Sequence, residues 1–251
     1  MEISCIFFIV AVIHLAQSYQ LPPDAEKCKF SDGKCLTNLS NFLIKHYGKN
    51  EWPEVNISRL DAVNIPDVSV AQDDVKKAIW YQVKAKNLIA YGLENTTITK
   101  VKSNWDKKTV DIYGKIPRLA AKLDYSLSTK FISFVFNATG HGTAEVQNFQ
   151  FIIKNNFVAN NGFFKLYKVH VTTQIDRAIF DLTNTHSDNT DLAIVVNQLL
   201  NESWQEIWPE VKPIFENLLR ENFIQIANNI LSSIRYEDLF LPEDTGLDNL
   251  K

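Results

Sequence analysis

Two hydrophobic periods divide this chain. Over residues 76–182 apolar and polar positions alternate, as on strands with one buried face. Ile79, Tyr81 and Val83 begin the pattern, and Val110 and Ile112 resume it after a turn at Asp106-Lys107-Lys108. Leu119, Ala121, Leu123, Tyr125 and Leu127 alternate most cleanly, with Lys122, Asp124, Ser126 and Ser128 between them. Ile132, Phe134 and Phe136 continue the set, and Phe163, Tyr167, Val169 and Val171 form another. Turns at Gly92, Asn155-Asn156 and Asn160-Asn161-Gly162 predict antiparallel hairpins. A sugar on Asn137 would point outward, which sends Phe134 and Phe136 inward by strand parity.

Over residues 188–235 the period becomes helical. Leu192, Val196, Leu199, Ile207, Val211, Ile214, Leu218, Phe223, Ile226, Ile230 and Ile234 mark one face. Asp188 or Thr190 can cap its start. Pro209 and Pro213 predict a kink near Trp208. At about 1.5 Å per residue one continuous helix would span roughly 70 Å. Two ordinary helices packed as a bundle are the alternative.

Upstream, residues 34–47 read as a short helix with Leu36, Leu39, Leu43 and Ile44 on one side and Gly48 as its stop. Residues 52–70 are broken by Pro53 and Pro66 and carry β-like pieces at 55–60 and 63–70. A short helix, then long antiparallel strands, then a long helix is an α+β order. The sheet needs a cover and the helix needs a partner, so we expect the sheet to wrap the helix. With no linker or internal repeat, residues 19–251 read as a single domain.

Residues 1–18 are expected to be a signal peptide. The apolar run at 6–16 is too short to span a bilayer, and Ala16-Gln17-Ser18 offers small residues for cleavage. Glu2 stands where a basic residue is usual, and a membrane anchor is the alternative. No other stretch is long and apolar enough to span. A secreted, extracellular chain places Cys28 and Cys35 in an oxidising compartment, where we expect them to pair. The sequons at Asn38, Asn56, Asn95, Asn137 and Asn201 become glycosylation candidates. Asn201, within the long helix, can carry sugar only if it faces solvent.

The 251 residues carry a net charge of −3, which gives no basic field for nucleic acid. Hydrophobic residues make up 45% and Phe counts 16, enough to fill a core and line a cavity. There is no G-x-S-x-G, H-E-x-x-H or Walker loop. His46, His141, His170 and His186 lack ligand spacing, so we expect no metal, no cofactor and no enzyme. Gly140-His141-Gly142 reads as a β-bulge or sheet bend rather than a phosphate loop. Trp204 and Trp208 read as packing residues.

The mature chain resembles the insect takeout and haemolymph juvenile-hormone-binding family almost end to end. The Cys28 and Cys35 pair with a helix after it resembles the family's opening. Trp52-Pro53-Glu54-Val55, then Arg59-Leu60-Asp61-Ala62-Val63-Asn64-Ile65, resembles its next stretch, with Ala62 where proline is usual. Gly92-Leu93-Glu94-Asn95, Lys115-Ile116-Pro117-Arg118-Leu119 and Gly140-His141-Gly142 follow in the family's order. Leu200-Asn201-Glu202-Ser203-Trp204 and the tail ending in Leu239-Phe240 complete it. One cysteine pair fits the takeout branch. The resemblance implies a long C-terminal helix wrapped by a strongly curved antiparallel β-sheet, enclosing an elongated hydrophobic tunnel. It also links the chain to processes such as circadian rhythm, at the family level only.

A secreted, monomeric carrier of a small elongated hydrophobic ligand is therefore expected. A juvenile-hormone-like terpenoid, a fatty acid or a related lipid would suit. Candidate lining residues are Val83, Leu123, Leu127, Phe134, Phe136, Val169, Val196, Leu199, Leu218 and Ile226. Tyr81, Tyr125 and Tyr167 are candidates to orient a polar group. The rivals are an extracellular protein-interaction module with a filled or collapsed tunnel, and a hydrolase, for which no nucleophile and base pair stands out. A receptor partner is not identifiable from these residues.

Overall fold

The computed structural model describes residues 21–72, 79–131, 134–184 and 190–242. The expected signal segment 1–18, the candidate cap Asp188, Ile132 and His186 lie outside them, as do the side chains of Phe134 and Phe136. Among the described residues no helix is long and apolar enough to cross a membrane.

The two ends of the described chain meet. Strand β1 (Cys28–Lys29) pairs in parallel with the terminal strand Phe240–Leu241. A disulfide joins Cys28 to Cys35, with Cα atoms 5.6 Å apart. It ties β1 to helix α1 (Gly33–Tyr47). Asp32 caps α1 by accepting from the Lys34 and Cys35 amides at 3.0 and 2.9 Å. Gly33 is required there: a Cβ would sit 2.3 Å from the Val101 carbonyl oxygen. The β-like piece expected at 55–60 is absent. Pro53–Val55 forms a 3-10 turn instead, with Asn56 left-handed at φ 53° and one bridge between Trp52 and Ile57.

An eight-stranded antiparallel sheet follows: β2 (Val63–Ile65), β3 (Val68–Gln72), β4 (Ile79–Tyr91), β5 (Thr97–Asn104), β6 (Thr109–Phe131), β7 (Phe134–Asn160), β8 (Phe163–Gln174) and β9 (Arg177–Asn184). Strands β6 and β7 form its spine and pair from Thr109↔Asn156 to Phe131↔Phe134. At ~3.3 Å per residue, the 27 residues of β7 run roughly 90 Å along the strand. Strand twist accumulates over such a length, and the sheet curves without closing into a barrel. On one side β6 pairs with β5 and then β4; on the other, β7 pairs with β9 and then β8.

Three sequence expectations change here. Asn155-Asn156 is no turn: both residues lie inside β7, and Asn155 pairs with Val110 on one side and Val169 on the other. Gly140 to Gly142 carries no bulge, and its ladders run through in register on both sides. The glycines instead let β9 lie close, since a Cβ on Gly140 would sit 1.7 Å from the Thr183 carbonyl oxygen. The long helix is also two helices, α2 (Thr190–Glu202) and α3 (Trp204–Ser233), broken at Ser203 rather than at the prolines. Gln205, Pro209 and Pro213 lie on the exposed side of α3, and the helix continues through both prolines. The two helices do not form a separate bundle: α2 lies on β9 and α3 on β8 and β9. A short helix α4 (Tyr236–Leu239) and strand β10 (Phe240–Leu241) close the chain against β1.

Candidate functional site

Alternation along β7 aims Phe149, Phe151, Ile153, Asn155 and Phe157 at one face of the sheet. All but half-buried Phe151 are buried. Val101 on β5, Val110 and Ile112 on β6, and Phe164 and Leu166 on β8 share that side. Across from them stand Leu36, Leu39 and Leu43 of α1 and Phe223, Ile226, Ala227, Ile230 and Leu231 of α3. These walls line a partly open cavity of about 290 Å³. At the ~30 Å³ one water occupies in the liquid, it holds on the order of ten non-hydrogen atoms. One end is packed by an aromatic cluster in which Phe30 meets Phe157 and Phe240, ring centres 5.3 Å apart in each case.

Two polar side chains border the cavity, Ser40 and Asn155. The Ser40 hydroxyl donates to the Leu36 carbonyl at 2.8 Å. Asn155 is 2% exposed, and its Nδ2 donates to the Val110 carbonyl at 3.0 Å. Its Oδ1 has no hydrogen-bond partner among the described residues.

The helices are held over the sheet by polar side chains that pair with strand backbone as another strand would. Asn41 of α1 donates to the Ile98 carbonyl at 2.9 Å and accepts from the Ile98 amide at 2.8 Å. Thr37 accepts from the Val101 amide at 2.9 Å. On the opposite edge Asn197 pairs both ways with Leu182, and Asn201 both ways with Phe180, at 2.7–2.9 Å. Glu216 accepts from the Thr173 amide at 2.6 Å, and Asn228 from the Leu166 amide at 2.9 Å. An exposed strand edge invites unwanted pairing, and these contacts satisfy it at the backbone groups they reach.

A model of the family described as haemolymph juvenile hormone binding protein (JHBP) matches residues 4–241. The chain belongs to that family. It is similar to the circadian clock-controlled protein daywake of Drosophila yakuba, at 20% identity over 236 residues, 90% of each chain. The crystal structure of Epiphyas postvittana Takeout 1 superposes with a TM-score of 0.75 at 19% identity, covering 86% of this chain and 100% of that one. At that identity the likeness establishes the fold: a large curved antiparallel sheet with a long C-terminal helix.

Within this JHBP-family fold the expected lining residues scatter. Ile226 borders the cavity, and half-buried Val169 packs beside its aromatic wall. Tyr81, Val83, Leu123, Tyr125, Leu127, Val196 and Leu218 are buried or half-buried but border other parts of the sheet and helices. Burial pushes the Tyr125 hydroxyl above its ordinary pKa. It does the same to Tyr81, where the nearby Glu210 charge adds to the rise. Leu199 points outward and is 60% exposed, because Asn197 and Asn201 claim the sheet side of α2.

Tyr167 is also outward, at 61% exposure. It is the extra residue of a β-bulge, where Asn156↔Lys168 gives way to Phe157↔Leu166. That insertion reverses the parity of β8, so Phe164 and Leu166 face inward on one side of it and Val169 and Val171 on the other. Asn201 is corrected as well. It faces the sheet edge with both amide hydrogens engaged, on Phe180 and Asn197. A sugar on that nitrogen would break the clamp. Asn38, Asn56, Asn95 and Asn137 are exposed.

Asn155 and the α1 wall were missed by the sequence reading. The inward row Phe149, Phe151, Ile153, Asn155, Phe157 carried the signal: one amide in an otherwise apolar stripe. The dipeptide Asn155-Asn156 masked it by imitating a turn.

Proposed function

We propose that this chain is a secreted carrier that takes a small, elongated hydrophobic molecule into the space between its sheet and its C-terminal helix. The observation that carries the reading is the cavity of about 290 Å³, walled by apolar side chains from five strands and three helices and by Leu21 and Phe30, apart from Ser40 and Asn155. Transfer of ligand surface from water into such a space is favourable by about 25 cal/mol per Å². A terpenoid, a fatty-chain molecule or a related lipid has the right character. The family's description as juvenile hormone binding agrees with that class. A longer bore running on toward Tyr125 and Tyr81 would suit an elongated ligand, with their hydroxyls as polar stops.

A second reading has an observation of its own. Ile194, Val195 and Leu199 on α2 are 64%, 58% and 60% exposed, an apolar face suited to contact with another protein. Native mass spectrometry of the purified chain, followed by solvent extraction, separates the two. The carrier reading predicts one co-purified hydrophobic molecule per chain, recovered in the extract. Protein that never carries lipid and binds none when offered it would favour the interaction module.

A further inference from the structure

We infer that the outer face of strands β5 to β8 docks on an anionic phospholipid surface, with its lysines on the headgroups and Tyr167 and Val158 entering the layer beneath them. This goes beyond the carrier reading and needs no guest in the cavity.

The alternation that sends apolar residues of these strands toward the cavity sends the intervening ones outward. Cross-strand partners share a face, so the register shows what the outer face carries. One row runs Lys102, Asp111, Lys154 and His170 across β5, β6, β7 and β8. On one side of it lie Asn104, Thr109, Asn156 and Lys168, and on the other Lys100, Tyr113, Ile152 and Thr172. Lys115 on β6 and Lys165 on β8 extend the face in either direction. Lys100, Lys102, Lys115, Lys154, Lys165 and Lys168 are all exposed. Asp111 is the one carboxylate in these rows, and none of the six lysines makes a salt bridge among the described residues. At ~4.8 Å between strands and ~3.3 Å per residue, the patch measures roughly 15 by 25 Å. The whole chain carries −3, so this field is local. Acids gather on the helix across the cavity, where Glu206, Glu210 and Glu221 of α3 are exposed.

Apolar side chains stand among the lysines. Tyr167, the extra residue of the β8 bulge, is 61% exposed, and Val158, the cross-strand partner of Lys165, is 46% exposed. A phospholipid surface suits both kinds of side chain. Its headgroup anions meet the ammonium groups, and the interface takes up a tyrosine ring and a short apolar chain. A sulfated glycan would meet the charges and leave Val158 in water. The exposed sequons at Asn38, Asn56, Asn95 and Asn137 lie off these rows. Each lysine held close to an anionic leaflet raises affinity about fivefold, an effect that fades over about 8 Å at physiological salt.

The test is co-sedimentation of the delipidated mature chain, disulfide intact, with vesicles of phosphatidylcholine alone or mixed equally with phosphatidylserine. Binding to the mixed vesicles that weakens with salt is expected, with none to phosphatidylcholine. Lys102→Gln, Lys154→Gln and Lys168→Gln together should weaken it about a hundredfold, three losses of about fivefold each. Lys84→Gln, Lys86→Gln and Lys122→Gln change the net charge equally at exposed positions on β4 and the far part of β6, and should leave binding within about twofold. Tyr167→Ser should weaken it roughly fivefold at low and high salt alike. Equal binding to both vesicles, binding to neither, or equal losses in the two triple variants would overturn the docking face. Retention on heparin without vesicle binding would overturn it in favour of a sulfated glycan. A salt-sensitive dimer in sedimentation velocity, abolished by the first triple variant and again without vesicle binding, would give the face to the acidic side of a second copy. Each of these failures leaves the carrier reading standing, because binding of a guest is measured without vesicles.

Discussion

The two ends of the sheet are closed by the same polar device and filled in different ways. Where β5 to β8 meet α1 and the C-terminal half of α3, asparagine side chains hold the edge and the interior is dense around the cavity. Phe157 is 2% exposed, Val55 1% and Ile234 0%. At the other end Asn197 and Asn201 hold α2 to β9 with the same reciprocal pairs, yet α2 turns Ile194, Val195 and Leu199 to solvent. Satisfying a strand edge and walling a cavity are thus separate physical tasks. The first needs hydrogen bonds of the right reach. The second needs apolar side chains from at least two layers, which here are supplied by α1 and α3 against the sheet.

The contrast breaks most sharply in the core. Phe157→Ala removes a ring that touches Phe30, Phe164 and Trp105. It should cost about 3–5 kcal/mol in denaturant unfolding, while Leu199→Ser at the open end should stay within about 0.5 kcal/mol. Next is the disulfide, which belongs to the cavity end. Replacing Cys28 and Cys35 by serine should cost roughly 2 kcal/mol, the low end of the range, because the loop between them is short. The edge clamps come third and should look alike at both ends. Asn41→Ala and Asn201→Ala should each cost about 1–2 kcal/mol and speed amide exchange at Ile98 and Phe180 respectively.

The smallest effect is one of pH. Hydrogen bonds from Asn87, then His141, hold the Asp124 carboxyl below its ordinary value. A depressed folded pKa stabilises above the unfolded value of about 4 and is lost as pH falls through the lower folded one. Asp124 is solvent-exposed, so an NMR titration should show the shift while Asp124→Asn barely alters stability near neutral pH.

The sequence carried the elements that depend on period. Alternation found the long strands, and Leu119 and Tyr125 fall on the buried face it named, with Asn137 opposite. The helical stripe found α2 and α3 together, and the Cys28 and Cys35 pairing was expected from the two cysteines left downstream of the apolar leader. What escaped was what depends on partners. The bulge at Tyr167 is set by pairing with β7, so no pattern within β8 reveals the change of parity. The break at Ser203 leaves Asn197 and Asn201 docked on β9 while Trp204 and Trp208 pack against the buried cluster that includes Ile116 and Phe149. Those are contacts between distant segments. The cavity lies where α1 approaches α3, a meeting that neither helix announces in its own residues. Most of the expected lining therefore lies away from this cavity, and Ile226 lies on its wall.

The central claim is that the space under the C-terminal half of α3 holds the guest molecule. Saturable binding of a fluorescent apolar probe by delipidated protein tests it most directly, comparing the wild type with Ala227→Trp, which fills that space, and Leu199→Trp, which adds the same ring at the open end. With all three shown to be folded by circular dichroism, the claim predicts one-to-one binding that Ala227→Trp abolishes and Leu199→Trp preserves. Binding by Ala227→Trp equal to that of the wild type, or no saturable binding by any of the three, would contradict it.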